Sequence, residues 1–329
     1  MKSILVFLIF CLLTMDYALA QSSIDRKTMV YATKDGVPLE LDKYVDNSVA
    51  YPGKRPVMIY VHGGGFSTGS RVNALQIQYG KHFVDQGFVT ILINYRLGLK
   101  GKVKSDQAAA LQDLSDPATT LAAVNMASED LIEATAFILS KAGEWNIDTK
   151  KIIISGGSAG AIACLNAEYS LCSGGVSASR LPAGFNYAGL VSHAGLVMTT
   201  QDTLIWKKSP CPMLLMHGDQ DQQVTFNSLS VAGNFYAGSN YIHKQLVKIN
   251  ASHWLYQEAG ADHIVALKPL QYNFDEIDTF IDKFIMKGQQ AVVHTIWADT
   301  KPDSMQIMMQ VVPLYITGWD KTGDEVNKK

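Results

Sequence analysis

The sequence predicts an α/β fold, with a mostly parallel central sheet and helices on both of its faces. Short apolar runs of strand length alternate with longer helical patterns along most of the chain, as parallel strands with helical crossovers require. No internal repeat and no low-complexity tract interrupts this alternation. The 329 residues are 47% hydrophobic and 18% charged. This is enough apolar material for one large core, so we expect a single domain.

The first predicted elements are two strands between Tyr31 and Val45, joined by a turn at Asp35-Gly36. Later strands are expected at short apolar runs, and helices at the longer periodic segments between them. The predicted strands are 57–61, 88–94, 151–155, 188–193, 212–216 and 253–257. The predicted helices are 129–142, 159–169, 224–236 and 275–286.

Two segments do not fit the alternation. Residues 97–127, rich in Ala, Leu, Gln and Asp, are too long for a simple connection. This insert forms either a wall of a substrate pocket or a peripheral helical excursion, and the sequence favours neither. The C-terminal extension, residues 288–329, carries apolar residues such as Trp297 and Trp319. These apolar residues predict that the extension docks on the domain or on a partner.

The first twenty residues have the organisation of a signal peptide. Lys2 precedes an apolar run that ends at Leu13, and Ala18-Leu19-Ala20 is a small-residue cleavage site. The run is shorter than the roughly 20 residues that cross a bilayer, so no stable membrane insertion is expected. The sequence therefore predicts a signal peptide at 1–20 and a secreted or periplasmic mature chain at 21–329.

Charge and cysteine content exclude two classes of protein. The formal net charge of -2 leaves no basic surface of the kind that binds nucleic acid. Removal of the signal peptide leaves Cys164, Cys172 and Cys211, an odd number that cannot pair completely. We expect buried thiols rather than a disulfide framework, with a Cys164–Cys172 bridge open only if the helix ends between them.

The strongest motif is the pentapeptide Gly156-Gly157-Ser158-Ala159-Gly160, which stands between a predicted strand and a predicted helix. A serine at such a turn projects its hydroxyl out of the sheet, and the sharp bend needs very small residues two positions away on either side. Ser158 is therefore the candidate nucleophile. A second copy of the pattern, residues 65–69, centres on Ser67 but lacks an immediate small-residue helix. It remains a minor alternative.

A glycine-rich loop, His62-Gly63-Gly64-Gly65-Phe66, leaves the end of a predicted strand. Consecutive glycines let backbone N–H groups approach a ligand closely. Such a loop is either an oxyanion-binding segment or a flexible turn. Its presence in the same chain as Ser158 favours the first interpretation.

With these two motifs the chain resembles the α/β-hydrolase superfamily, in particular the esterases of its hormone-sensitive-lipase-like and carboxylesterase-like branches. The resemblance covers about residues 29–287. It implies the α/β-hydrolase fold and a chain order of oxyanion loop, Ser, Asp and His. It also implies that the backbone N–H groups of Gly64, Gly65 and Ala159 form the oxyanion hole.

The downstream part of the chain supplies the other two members expected from this resemblance. Residues 217–224 resemble the family's H-G-x-x-D-x-x-V segment, which makes Asp221 the acid, although Asp219 stays open on the sequence alone. His263 ends a loop that follows a predicted strand, where catalytic groups of parallel sheets collect. His253 is the alternative base. Family members often have Gly immediately before this His, whereas this chain has Asp262.

The function expected from these residues is hydrolysis of carboxylic esters through a Ser-His-Asp triad and an acyl-enzyme. The expected substrates are short-chain or carbohydrate-linked esters, either small molecules or groups linked to a glycan. No cofactor and no metal is expected, since the match to the family segment explains His217, Asp219 and Asp221 without one. Two alternatives stay open: a serine peptidase of the same fold, and a non-catalytic binding protein built on it.

Overall fold

The computed structural model describes residues 23–102, 116–175 and 179–298. Twelve strands and five helices lie in these ranges. The strands are β1 Ile24–Lys34, β2 Val37–Asp46, β3 Arg55–Val61, β4 Val89–Ile93, β5 Ile147–Gly157, β6 Gly189–His193, β7 Leu196–Thr199, β8 Met213–Gly218, β9 Ser228–Val231, β10 Asn234–Gly238, β11 His253–Glu258 and β12 Val292–Trp297. The helices are α1 Ala74–Asp85, α2 Pro117–Ser140, α3 Ala159–Ser173, α4 Ser239–Lys248 and α5 Phe274–Phe280.

Nine of the strands form one sheet in the order β1-β2-β4-β3-β5-β6-β8-β11-β12. The pairs β1/β2 and β2/β4 are antiparallel, and every later neighbouring pair is parallel. The predicted mostly parallel sheet, with its early hairpin at Asp35-Gly36, is confirmed. Because β5, β8 and β11 run parallel, the segments that follow them leave from one edge of the sheet.

Helices cover both faces of the sheet, as predicted. On one face α2, α3 and α4 bury residues such as Val124, Ile162 and Leu246 against the strands. On the other face α1 and α5 bury Tyr79 and Phe280. The core strands are almost continuously apolar, as expected for strands buried on both faces.

The predicted helix 224–236 is wrong. This segment instead contains β9 and β10, joined by a two-residue turn in which Ala232 and Gly233 both have positive φ, 46° and 78°. Such a turn twists the chain in the sense that an antiparallel hairpin needs. The hairpin pairs with β7 to form a separate three-stranded sheet in the order β7-β10-β9.

Several boundaries also differ from the prediction. Helix α2 spans Pro117–Ser140, so it takes in the last part of the insert 97–127. Residues 103–115 of the insert lie outside the described residues. Helices α1 and α4 and strands β7 and β12 were not predicted. The predicted helix 275–286 is confirmed as α5 and a π-helical turn, Ile281–Met286, that continues it.

The two ends of the chain are described in part. The C-terminal extension contributes β12, which pairs in parallel with β11 and so docks on the domain. The rest of the extension, from residue 299, and the predicted signal peptide 1–20 lie outside the described residues. Within the described ranges, no helix is long and apolar enough to span a bilayer.

All three cysteines of the predicted mature chain are buried free thiols. Cys164 and Cys172 both lie in α3, which continues to Ser173, so the helix does not end between them. Burial raises the pKa of both thiols. The expectation of buried thiols is confirmed.

Candidate active site

Ser158 lies at the sharp turn between the end of β5 and the first residue of α3. Its φ of 53° is in the left-handed region, a strained conformation for a residue with a side chain. The flanking glycines allow the turn to pack. A Cβ on Gly156 would lie 2.5 Å from the backbone of Gly160, and one on Gly160 would lie 2.0 Å from the Val61 carbonyl oxygen of β3.

The structure brings Ser158, His263 and Asp221 into one hydrogen-bonded chain. His263 Nε2 lies 2.9 Å from Ser158 Oγ, and His263 Nδ1 lies 2.7 Å from Asp221 Oδ2. An Nδ1–H that donates to the carboxylate leaves Nε2 without its proton, so Nε2 can accept one from the serine. This order of contacts is the one that nucleophilic catalysis by serine requires.

Asp221 is held in place by several hydrogen bonds in the turn after β8. Its Oδ1 accepts the backbone N–H groups of Gln223 at 2.8 Å and Val224 at 2.9 Å. Burial by itself would raise the pKa of this carboxyl, but hydrogen bonds from His217 and His263 lower it well below the usual range. Asp221 is therefore a carboxylate at neutral pH and can stabilise a protonated His263.

His263 opens a short 3₁₀ turn, His263–Ala266, in the loop after β11. Asp262, which stands where family members often have Gly, caps this turn: its Oδ1 accepts the Ile264 N–H at 2.9 Å. Its φ is -93°, so the position does not need glycine. The departure from the family pattern therefore leaves His263 in contact with both of its partners.

The alternatives that the sequence left open lie elsewhere. Asp219 accepts hydrogen bonds from Gln257 Nε2 at 2.9 Å and from the Gly260 N–H at 2.8 Å. Buried His253 contacts the Ala251 carbonyl at 2.8 Å and His243 at 2.7 Å. Neither makes a described contact to Ser158.

Ser67, in the second copy of the pentapeptide, lies in the loop after β3. Its Oγ donates to the Gly64 carbonyl at 3.2 Å. It contacts no described histidine, which a serine nucleophile of this type needs as a base.

The glycine-rich loop after β3 is tightly fixed. The Gly64 carbonyl accepts the N–H groups of Ser67 at 3.1 Å and Thr68 at 3.0 Å. Gly64 has a φ of 116°, and a Cβ there would lie 2.3 Å from the Thr68 carbonyl oxygen, so only glycine fits. No acceptor is found among the described residues for the backbone N–H groups of Gly64, Gly65 or Ala159. Ala159 is also the first residue of α3, where the helix dipole favours negative charge.

Two residues that the sequence did not assign to the site support it: Tyr95 contacts the glycine-rich loop, and His217 contacts Asp221. Tyr95 stacks on His62 with ring centroids 4.4 Å apart and donates its hydroxyl proton to the His62 carbonyl at 2.9 Å. His217 Nε2 lies 3.2 Å from Asp221 Oδ2. His217 was visible as part of the segment 217–224, but nothing in the sequence alone shows that its ring turns toward Asp221.

Within the described ranges, no group of three or more His, Cys, Asp or Glu side chains is arranged to hold a metal ion. The groups that the described site brings together are a hydroxyl, an imidazole and a carboxylate, together with backbone N–H donors.

Comparison with known proteins gives a family match over part of the chain. Residues 30–170 match the model of the carboxylesterase family. A fumonisin B1 esterase of Sphingopyxis macrogoltabida is 32% identical over 111 residues, which are 34% of this chain and 19% of that protein. The non-reducing polyketide synthase ausA of Penicillium brasilianum is 31% identical over 121 residues, 36% of this chain and 5% of the synthase. The chain thus spans only a small part of the length of these curated relatives.

Solved structures show the same fold. A thermophilic esterase from the planctomycete Thermogutta terrifontis, Est2, superposes with a TM-score of 0.56 at 18% identity, covering 78% of this chain and 91% of that one. The same esterase has been solved with propionate bound and after phosphorylation by paraoxon. Residues 30–170 of the chain are thus similar to the carboxylesterase family, and the chain has the α/β-hydrolase fold.

Proposed function

We propose that this protein is a serine carboxylic ester hydrolase that works through an acyl-enzyme on Ser158. One observation carries the proposal: Ser158 Oγ, His263 and Asp221 form a continuous hydrogen-bonded chain, with contacts of 2.9 Å and 2.7 Å. The family match over residues 30–170 supports the same reaction.

The reaction has two halves. Ser158 Oγ attacks the ester carbonyl carbon while its proton passes to His263 Nε2, and the carbonyl oxygen becomes an oxyanion. Collapse of this intermediate breaks the bond to the alcohol, which leaves with the proton from His263. Water then attacks the acyl-enzyme, again giving its proton to His263, and the carboxylic acid leaves as Ser158 takes the proton back. Asp221 stabilises the protonated His263 in both halves.

The oxyanion is held by the N–H groups of Gly64, Gly65 and Ala159. Two features of the site support this role: the fixed backbone of the glycine-rich loop and the position of Ala159 at the start of α3. Fixed donors of this kind stabilise the transition state without reorganisation, and loss of one typically lowers kcat by about 10²- to 10³-fold.

The substrates in this proposal are short-chain or carbohydrate-linked esters, and the enzyme acts outside the cytoplasm. The short-chain preference is supported by the propionate- and butyrate-bound forms of the Thermogutta terrifontis esterase. The location rests on the signal-peptide pattern of residues 1–20. Faster turnover of octanoyl than of acetyl esters would contradict the short-chain preference.

Replacement of the nucleophile tests the reaction. Ser158→Ala is expected to abolish both hydrolysis of p-nitrophenyl acetate and labelling by a fluorophosphonate probe, because no oxygen remains to attack. The matched control is Ser67→Ala, in the other copy of the pentapeptide, which should keep the label. Both variants should melt at the wild-type temperature.

Three results would contradict the proposal. Turnover or labelling retained in Ser158→Ala would remove Ser158 as the nucleophile. Absence of labelling in the wild type would favour the non-catalytic binding protein. Faster cleavage of peptide amides than of esters would favour the serine peptidase.

A further inference from the structure

His217 contacts the same carboxylate oxygen that orients the proposed base. Its Nε2 lies 3.2 Å from Asp221 Oδ2, the atom that His263 Nδ1 contacts at 2.7 Å. The side chains of His217 and Asp221 are both completely buried. A contact between two groups removed from water is far stronger than the same contact at a surface.

The protonation of the His217 ring follows from its neighbours. Nε2 faces two acceptors, the Val224 carbonyl oxygen at 3.0 Å and Asp221 Oδ2 at 3.2 Å, so this nitrogen carries a proton, and the two oxygens share it. Nδ1 lies 2.8 Å from the Ser239 hydroxyl, which can donate to it. The edge-on ring of Phe226, with its centroid 5.6 Å away, packs against the imidazole. Together these contacts allow the His217 ring only one orientation.

We propose that His217 is a positioning residue for ester hydrolysis: its Nε2–H fixes Asp221 Oδ2 in the orientation that His263 needs and limits how strongly that oxygen attracts a proton. This inference rests on the proposed function. It adds to that function a buried histidine that does not touch the substrate but acts through Asp221.

The other donors to Asp221 show why His217 matters. The N–H groups of Gln223 and Val224 both bind Oδ1, so they hold only one side of the carboxylate. Among the described contacts, Oδ2 is shared by the two histidines. Without His217, Oδ2 would face His263 alone, the carboxylate could turn about its Oδ1 anchors, and its more concentrated charge would favour a protonated His263.

Other charged groups near the site are engaged elsewhere. Asp262, in the loop after β11, caps Ile264, and Glu258, the last residue of β11, pairs with Lys268 at 2.6 Å. Asp219 is bound by Gln257 and by the Gly260 N–H. From α4 the group that faces His217 is the Ser239 hydroxyl, which does not ionise in the working range. A change at His217 therefore reaches His263 through Asp221.

The test compares two substitutions. His217→Leu removes the donor, whereas His217→Gln keeps an N–H near the position of Nε2 and cannot ionise. The matched controls are His253→Leu and His253→Gln, because His253 is also buried, lies on the adjacent strand β11 and makes no described contact to Asp221. Should His217→Leu fail to fold, His217→Asn replaces it, since its shorter amide does not reach Asp221.

Three measurements separate positioning from mere structural support. In His217→Leu we expect kcat to fall about 10- to 100-fold with little change in KM, as for loss of a hydrogen bond to a charged group. The acid limb of the kcat/KM profile should move to higher pH, and the downfield NMR signal of the His263 Nδ1 proton should shift. His217→Gln should restore most of the rate and the wild-type acid limb.

Three results would overturn the inference: an acid limb and proton signal in His217→Leu equal to the wild type, a Gln variant as impaired as the Leu variant, or equal effects in the His253 pair. Failure of the proposed function is a separate outcome. It would appear as wild-type protein without fluorophosphonate labelling, and the proton signal would still report whether His217 orients Asp221.

Discussion

At the residue scale, backbone and side-chain donors give different roles to two carboxylates that stand two positions apart. Asp221 is buried and binds His263 at 2.7 Å, whereas Asp219 binds Gln257 and the Gly260 N–H in the loop after β11. Chemistry alone does not distinguish them, because both are aspartates in the same turn. The direction of each side chain decides which one can stabilise a charged imidazole.

Asparagine substitutions test this difference. Asp221→Asn is expected to lower kcat by about 10⁴-fold, because a neutral amide neither holds the required tautomer of His263 nor stabilises its protonated form. Asp219→Asn keeps an oxygen acceptor for the Gly260 N–H and should change kcat by less than a few-fold. Initial rates on p-nitrophenyl acetate, with melting temperatures as the folding control, measure both. Equal losses in the two variants would contradict the assignment of Asp221.

The residue patterns placed Ser158 ahead of Ser67 and His263 ahead of His253, and the family resemblance added Asp221. The structure brings these three residues together. Their motifs carry local information: glycines at a tight turn, and polar residues directly after predicted strands. The sequence could not rank Asp221 against Asp219, nor show that His217 turns toward Asp221. Both outcomes depend on contacts between β8, β11 and α4, which are far apart along the chain.

At the element scale, the turn from β5 to α3 is packed directly against the end of β3. The 2.0 Å separation between a Cβ on Gly160 and the Val61 carbonyl oxygen is shorter than any real contact, and the His62 carbonyl lies 2.7 Å away. Gly160 therefore lets α3 approach the strand that leads into the glycine-rich loop. The nucleophile and the proposed oxyanion donors are held together by this close approach.

Gly160→Ala is accordingly expected to destabilise the fold by about 1–3 kcal/mol or more, as overpacking does, and to displace Ser158 from the glycine-rich loop. The matched control is Gly143→Ala, at an exposed position with no atom within 4 Å of the added methyl group. Its effect should stay within about 0.5 kcal/mol. Chemical denaturation of the two variants measures both free energies. A Gly160 variant as stable as the Gly143 variant would refute the close approach.

For the strands that the sequence missed, tertiary pairing decided the local structure. Residues 224–236 have apolar side chains at helical spacing, yet β9 and β10 form there because β7 offers a pairing edge. Strand β12 is a run of β-branched and aromatic residues, but it becomes ordered by pairing with β11. Helix α4 was detectable from buried Ile242 and Leu246, four residues apart.

At the scale of the whole molecule, the apolar core around the sheet excludes water and so keeps buried histidines neutral. Burial lowers the pKa of His62 to about 4 and that of His193 to about 3. Both residues are buried, and in the described part of the chain neither nitrogen of His193 has a hydrogen-bond partner. The unfolded chain binds protons at both residues near pH 6.5, whereas the folded protein does not.

This difference predicts acid sensitivity with a defined sign. Below pH 6.5 the unfolded state binds more protons than the native state, so the free energy of unfolding falls as the pH falls, by about 1.4 kcal/mol per pH unit for each such histidine. The loss continues until the pH reaches the lowered pKa values, near 4 and 3. Stability from these two neutral histidines is fully present only above pH 6.5.

His193→Phe removes one of these groups and isolates its contribution. The ring packs edge-on against Tyr79, with centroids 5.7 Å apart, an arrangement that phenylalanine can reproduce. Between pH 6 and pH 4.5 the free energy of unfolding of this variant, measured by denaturant titration, should depend on pH less steeply than that of the wild type, by about 1.4 kcal/mol per pH unit. The comparison uses slopes, so any constant effect of the larger ring cancels. Parallel slopes would mean that His193 is protonated in the folded protein, and the sheet would then contain a buried charge instead of a neutral ring.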